Sequence, residues 1–267
     1  MENDLLMRII FQAVFAGGEF LRGQKMFSHI SGKVNVEELD VRVGEVIKSV
    51  LQHSSYEIFS EEVDDSAFRG RQEYFWWVDP IDGTRGFLAG EKDYGLSVGL
   101  IASGNIPVLG VVYQPAYEKL FYGCHGQGSY VKDLMSGGGE RRLKVTERAS
   151  EGLVGILGTQ STLQMQQMYE QMRIAEHYGP IGSFTTKVLA IAEGRADVYL
   201  KSGNKCNEWD SCAVDVILRE AGGRMTDLQG ENLRYNKADP NFAKGVLASN
   251  GVCHELMLRR LEEWICK

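Results

Sequence analysis

The chain has 267 residues, 43% of them hydrophobic and 24% charged, a balance typical of a globular protein with one large core or two closely packed lobes. Its net charge of −7 excludes nonspecific nucleic-acid binding, which needs a basic surface, and no apolar run is long enough to predict stable membrane insertion. Five scattered cysteines without a Cys-x-x-Cys pair, and an acidic N-terminus unlike a signal peptide, predict reduced thiols in a cytoplasmic protein.

In chain order, apolar residues at helical spacing predict a helix over 3–28 and another over 38–53, where Leu39, Val43, Val46, Ile47, Val50 and Leu51 share a face. A short apolar strand over 56–60 runs into Glu61-Glu62, and a polar loop over 63–72 leads to a buried strand over 74–78. Strands follow at 94–102, 108–114 and 119–122. Gly123, Gly126 and Gly128 lie among these strands and read as turn glycines, since a dinucleotide loop would join a strand to a helix. The run Ser136-Gly137-Gly138-Gly139 marks the expected seam of a single domain with two lobes, approximately 1–139 and 140–267. The second half alternates a strand at 154–157, a helix at 161–176 with Met165, Met168 and Met172 packed in the core, a helix at 184–193, a strand at 196–200 and a helix at 210–221. Gly222-Gly223 stops the last of these. The class is mixed α/β.

Carboxylates follow the ends of apolar segments at three places: Glu61-Glu62, Asp79 with Asp82, and Asp210 at a helix start. Gathered at one sheet edge they would repel and lose hydration, a cost that a cation removes. Hard oxygen ligands without a His or Cys cluster favour magnesium over zinc. In Asp79-Pro80-Ile81-Asp82-Gly83-Thr84, Pro80 keeps Asp79 from continuing the strand, and the amides of Gly83 and Thr84 open a helix that can cradle a phosphate. Taken singly, the same residues read as a turn, a solvated Glu pair and a residue favoured by a helix dipole. Their joint occurrence in order carries the catalytic reading.

These residues resemble the inositol monophosphatase superfamily of magnesium-dependent, lithium-sensitive phosphatases, through three separated motifs. Trp77-Val78-Asp79-Pro80-Ile81-Asp82-Gly83-Thr84 matches the central motif, Phe59-Ser60-Glu61-Glu62 the upstream one, and Trp209-Asp210-Ser211-Cys212-Ala213, running on to Gly222-Gly223, the last. The resemblance implies a layered α/β/α/β/α sandwich. It implies two to three Mg2+ ions held by Glu61, Asp79, Asp82, Asp210 and the Ile81 carbonyl, with Glu62 supporting them or holding a third ion. Gly83 and Thr84 would bind phosphate, and Thr84 would pair with Asp40 to position the attacking water, with Glu61 also taking part in catalysis. Lithium inhibition and a homodimer are expected on the same ground. The family's proline and threonine are missing from the segment 31–40, so Glu37 and Glu38 stand beside Asp40 as alternatives.

Within the superfamily, Arg85-Gly86-Phe87-Leu88-Ala89-Gly90 and the stretches 191–197 and 203–218 are similar to 3'(2'),5'-bisphosphate nucleotidases, which remove the 3'-phosphate of adenosine 3',5'-bisphosphate. The implied substrate contacts are Gly182, Ser183 and Lys187, a helix N-terminus plus a lysine that suits a second phosphate; read alone, Lys187 is a surface lysine. A histidinol-phosphate phosphatase, an inositol monophosphatase and a catalytically inactive family member with a binding role are the alternatives.

Overall fold

The structure, a computed structural model, describes residues 2–31, 36–62, 72–135, 137, 139–203 and 206–266. Most of the expected polar loop at 63–72, Ser136 and Gly138 of the glycine run, and Asn204 and Lys205 lie outside the described residues.

Two long helices open the chain, α1 (Glu2–Ser31) and α2 (Val36–Leu51). They lead into a seven-stranded sheet: β1 (Glu57–Ser60), β2 (Phe75–Asp82), β3 (Gly95–Ala102), β4 (Ile106–Gln114), β5 (Lys119–Cys124), β6 (Gly128–Asp133) and β7 (Glu140–Arg142), side by side in that order. The short helix α3 (Thr84–Leu88) leaves the end of β2. The β1–β2 pair is parallel and the remaining ladders of this sheet are antiparallel. A second sheet has the order β11-β12-β10-β8-β9, built from β8 (Val154–Gly158), β9 (Glu176–Ile181), β10 (Val198–Lys201), β11 (Arg224–Thr226) and β12 (Val246–Ser249). Its helices are α4 (Leu163–Gln171), α5 (Phe184–Ala192), α6 (Glu208–Glu220) and α7 (His254–Ile265).

The pleat of β2 shows how the layers form. Trp76 and Val78 face α1 and α2, while Phe75 and Trp77 on the other face join a core shared with α5, α6 and the second sheet. Burying each such side chain stabilises by about 1.5–3 kcal/mol, so β2 is clamped from both sides. The far face of the second sheet is covered by Met168 and Tyr169 of α4 and by Met172 just past its end, with Met257 and Leu261 of α7. The stack is helix, sheet, helix, sheet, helix, as the resemblance implies.

A row of glycines sets how closely α6 approaches the first sheet. Gly99, Gly110 and Gly123 lie opposite one another on β3, β4 and β5. A Cβ on Gly110 would stand 2.2 Å from the Ala213 carbonyl oxygen, and one on Gly99 would stand 2.6 Å from Cys212 Sγ. Without side chains these positions form a groove for α6, which carries Asp210 at its start.

Several expectations are revised. The strand at 74–78 continues to Asp82, because Pro80 is absorbed by a register shift in the β2–β3 ladder between Asp79 and Asp82 and does not end the strand. The helix at 161–176 stops at Gln171, where the chain turns through Arg173 at φ 55 into β9. The change of sheet falls between Arg142 and Val154, beyond the glycine run, since β7 still pairs with β6. Strands β6, β7, β9, β11 and β12 and helix α7 were not among the predicted elements. Of the three expected turn glycines, Gly126 lies in the β5–β6 turn with φ 74 and Gly128 opens β6 with φ 85, whereas Gly123 lies within β5. All five cysteines are free, and among the described residues no helix is long and apolar enough to cross a membrane.

Candidate active site

The parallel β1–β2 ladder sets Ser60 opposite Val78, and the Glu61 amide donates to the Val78 carbonyl at 3.1 Å, bringing Glu61 beside Asp79. Past the register shift, β2 delivers Asp82, and α6 delivers Asp210 from the second half of the chain. One carboxylate oxygen each from Asp79, Asp82 and Asp210 lie within 4.8 Å of one another. Gly83 follows at φ 90, where a Cβ would stand 2.8 Å from the Asp93 carbonyl oxygen, so the turn into α3 needs glycine.

Helix α2 closes the cluster from the other side. Its Gly44 packs on Pro80, and Asp40 lies one turn earlier on the same face. The Thr84 hydroxyl lies 2.8 Å from the Ile81 carbonyl oxygen and 3.3 Å from Asp40 Oδ2, between two acceptors. Asp40 is buried, whereas Glu37 and Glu38 are exposed. The geometry therefore joins Asp40 to Thr84 and leaves both alternatives in solvent.

The electrostatics of the cluster are those of a site short of positive charge. Burial lifts Asp79 well above the ordinary carboxylate range, and the charges of Glu61, Asp82, Asp210 and Asp40 add to the rise. Burial pushes Asp210 up to about 8, helped by Asp82 and Glu61 and opposed by the Asn207 amide, which donates to its Oδ2 at 2.6 Å. Asp40 rises to about 7 through burial and the charge of Glu62. Glu61, whose side chain still reaches solvent at the rim, is raised by partial burial and by Asp40, Glu62 and Asp82. Asp79 Oδ1 and Asp40 Oδ1 are buried with no hydrogen-bond partner. Orphaned carboxylate oxygens in a buried acidic cluster, with hard ligands only, fit a divalent cation such as magnesium.

Asp82 differs from its neighbours. It accepts from Phe184 N at 3.1 Å, Thr185 N at 2.7 Å, Ser183 Oγ at 2.5 Å and the Thr185 hydroxyl, so it caps the N-terminus of α5. Thr186 N is taken by Ser183 Oγ at 3.0 Å. The first amides of α5 are thus committed, and the expected role of this helix end for a second phosphate is revised. Ser183 is buried and turned toward Asp82, while Gly182 and Lys187 border a cleft of about 500 Å³. Asp82, Thr84 and Asp210 line the same cleft, with Arg85, Thr159 and Lys201.

Lys187 is no surface lysine. It is 5% exposed, its Nζ donates to the Gly182 carbonyl at 2.7 Å, and it lies 5.1 Å over the Tyr199 ring. Burial brings it down to about 8, with the Lys201 charge acting in the same direction. Met165 borders the cleft too, unlike Met168 and Met172, which are core. Sequence reasoning passed over Lys201, Thr185, Thr186 and Gln114; a lysine closing the apolar strand β10 was the one local signal available for them.

The comparisons agree with this geometry. A model of the inositol monophosphatase family matches residues 3–265. A histidinol-phosphatase of Mycobacterium tuberculosis is 30% identical over 210 residues, covering 76% of this chain and 75% of that protein. The 3'(2'),5'-bisphosphate nucleotidase CysQ of Aggregatibacter actinomycetemcomitans is 28% identical over 221 residues, covering 79% and 80%. The inositol monophosphatase structure from Anabaena (Nostoc) superposes with a TM-score of 0.75 over 98% of this chain and 97% of that one; at 24% identity it speaks for the fold alone. With two sheets, interleaved helices and an acidic cluster at the end of β2, the chain belongs to the inositol monophosphatase family of phosphatases.

Proposed function

We propose that this protein is a magnesium-dependent phosphomonoesterase that removes the 3'-phosphate of adenosine 3',5'-bisphosphate, leaving AMP. The observation that carries the chemistry is the convergence of Asp79, Asp82 and Asp210 with buried, unpartnered oxygens on Asp79 and Asp40. Glu61, Asp79, Asp82, Asp210 and the Ile81 carbonyl are the proposed ligands of two to three ions, with Glu62 in support. Bound there, magnesium would offset the carboxylate charge, acidify a water and polarise the phosphoryl oxygens.

The chain's own groups supply the rest. Thr84 Oγ1, held between Asp40 and the Ile81 carbonyl, accepts a hydrogen bond from the attacking water; as the water's proton moves to Oγ1, the hydroxyl's own proton moves to Asp40 Oδ2, leaving a hydroxide to attack, a neutral Asp40 and an intact Thr84. Gly83 and Thr84, at the start of α3, face the phosphate with backbone N–H groups that a helix's first turn leaves without internal acceptors.

The bisphosphate choice is supported by the cations of the cleft. Lys187, Lys201 and Arg85 border it and favour a second anionic group. The same cations disfavour the ammonium of histidinol phosphate and offer no particular gain to the neutral hydroxyls of an inositol monophosphate. Lithium inhibition, a cytoplasmic setting for the free thiols and a homodimer belong to the same reading. A phosphate-release assay with magnesium tests it across adenosine 3',5'-bisphosphate, inositol 1-phosphate and histidinol phosphate. The bisphosphate should give the highest kcat/KM; preference for either of the others overturns the substrate, and no magnesium-dependent release from any of them favours the inactive-member alternative.

A further inference from the structure

Asp82 receives its hydrogen bonds from a chain of buried groups that begins in the first sheet. Gln114, the last residue of β4, is buried and its Nε2 donates to Thr186 Oγ1 at 2.8 Å. Thr186 Oγ1 lies 2.9 Å from Ser183 Oγ, and Ser183 Oγ lies 2.5 Å from Asp82 Oδ2. Thr186 and Ser183 are buried as well.

Chemistry at the two ends fixes the direction of this chain. A carboxylate only accepts, so the Ser183 proton points at Asp82. Ser183 Oγ must then accept from Thr186, and Thr186 Oγ1 must accept from a group that can only donate, the Gln114 amide nitrogen. Any other proton arrangement leaves two donors or two acceptors facing each other in a buried space.

The count of bonds has a further consequence. Asp82 Oδ2 faces three donors, Ser183 Oγ, Thr185 N and Thr185 Oγ1, one more than its two lone pairs, while Oδ1 accepts only from Phe184 N. A carboxylate oxygen carries two lone pairs, so Asp82 has one left for a cation, on Oδ1.

We propose that Gln114 and Thr186 are positioning residues for the metal centre: through Ser183 they form a one-way hydrogen-bond relay that pins Asp82 Oδ2 and presents Oδ1 alone to the ion. Groups that orient a metal ligand in this way commonly set metal affinity by about 10–100-fold. Because Gln114 lies in the first sheet and Thr186 in a helix of the second half, the relay also ties metal affinity to the packing of the two halves. The inference rests on the reading of the acidic cluster as a metal centre.

The test titrates magnesium chloride into the full-length, chelator-stripped protein. It reads the metal-induced rise in Tm, with magnesium-dependent phosphate release as a second readout. Thr186→Val keeps the shape and deletes the hydroxyl, Gln114→Met deletes the amide, Gln114→Glu reverses the polarity of the first link, and Thr186→Ser restores the hydroxyl. The first three should raise the magnesium concentration for half-maximal stabilisation about tenfold or more, with kcat at saturating magnesium changed by less than about threefold, and Thr186→Ser should stay within about twofold of the parent. A packing role alone would lower Tm without metal and leave the magnesium midpoint where it was; that result, or equal shifts for Thr186→Ser and Thr186→Val, overturns the relay. A parent protein that magnesium does not stabilise overturns the metal-centre reading itself.

Discussion

Two buried aspartates show what separates a structural carboxylate from one held for chemistry. Asp197, just before the central strand β10 of the second sheet, is 0% exposed, and both its oxygens are filled. Oδ1 accepts from the Thr146 hydroxyl and from Asn250 Nδ2 at 3.1 Å, while Oδ2 accepts from Arg148 Nε and Val154 N, each at 2.7 Å. Asp79 is 1% exposed, yet one of its oxygens has no partner, and its nearest charges are other carboxylates. Burial is equal in the two regions, and satisfaction is not. Folding alone would have no reason to retain the second arrangement, whose repulsion calls for a cation.

The contrast predicts opposite consequences for the same chemical change. Asp79→Asn should reduce turnover by at least about 10³-fold and abolish the magnesium-induced rise in Tm, while leaving the metal-free protein as stable as the parent or more so. Asp197→Asn should do the reverse: a loss of about 3 kcal/mol in urea denaturation, with kcat of the folded fraction unchanged. Equal losses of stability in both variants would erase the distinction. Asp82→Asn is a less clean probe, because the new amide would face the donors of Ser183, Phe184 and Thr185 and disturb the α5 cap.

A smaller effect is expected at the lysines of the cleft. Lys187→Met or Lys201→Met should raise KM for adenosine 3',5'-bisphosphate about 10-fold or more and leave KM for a monophosphate such as inositol 1-phosphate nearly unchanged. Equal effects on the two substrates would place these lysines outside substrate recognition.

The smallest effect is in pH. Asp40 at about 7 and Asp210 at about 8 are raised above their unfolded values near 4, so between those limits the folded chain binds more protons than the unfolded one. Their contribution to stability is full below about 4 and is lost as pH rises toward 8. His254 moves the other way: burial lowers it to about 4, and its cost appears as pH falls below about 6.5, where the unfolded imidazole gains a proton. Over about 6.5 to 8, where Asp40 and Asp210 titrate together with Glu208 outside the cluster, the metal-free protein should lose a few degrees in Tm, and saturating magnesium should restore the part that belongs to the cluster. A flat profile without metal would mean that these carboxylates are already ionised at about 6.5, contrary to the rise that burial and crowding cause.

Much of this was legible in the sequence, for reasons that differ by element. The helical spacing of Leu39, Val43 and Ile47 and the apolar run before Asp79 mark α2 and β2 because both bury a regular face. Strands β11 and β12, of three and four residues, are too short to show a period. Strand β9, mostly solvent-facing and containing Pro180, lacks the apolar alternation of a core strand. Helix α7 carries only a weak signal, Met257 and Leu261 four apart and both buried, among charged residues and with no motif beside it. In the site, Asp79, Asp82, Glu61 and Asp210 stand in recognisable motifs. Gln114 reaches Thr186 across 72 residues and Ser183 reaches Asp82 across 101, and only the Thr186–Ser183 link is local, so no local pattern encodes the relay.

The central claim, that the acidic cluster holds the metal for phosphate-ester hydrolysis, is tested most directly by phosphate release from adenosine 3',5'-bisphosphate as magnesium is titrated into the parent and the Asp79→Asn variant. The parent should show saturable, magnesium-dependent release that chelation abolishes, and the variant almost none at any magnesium concentration. Release independent of magnesium in the parent, or equal in the two proteins, would contradict the claim.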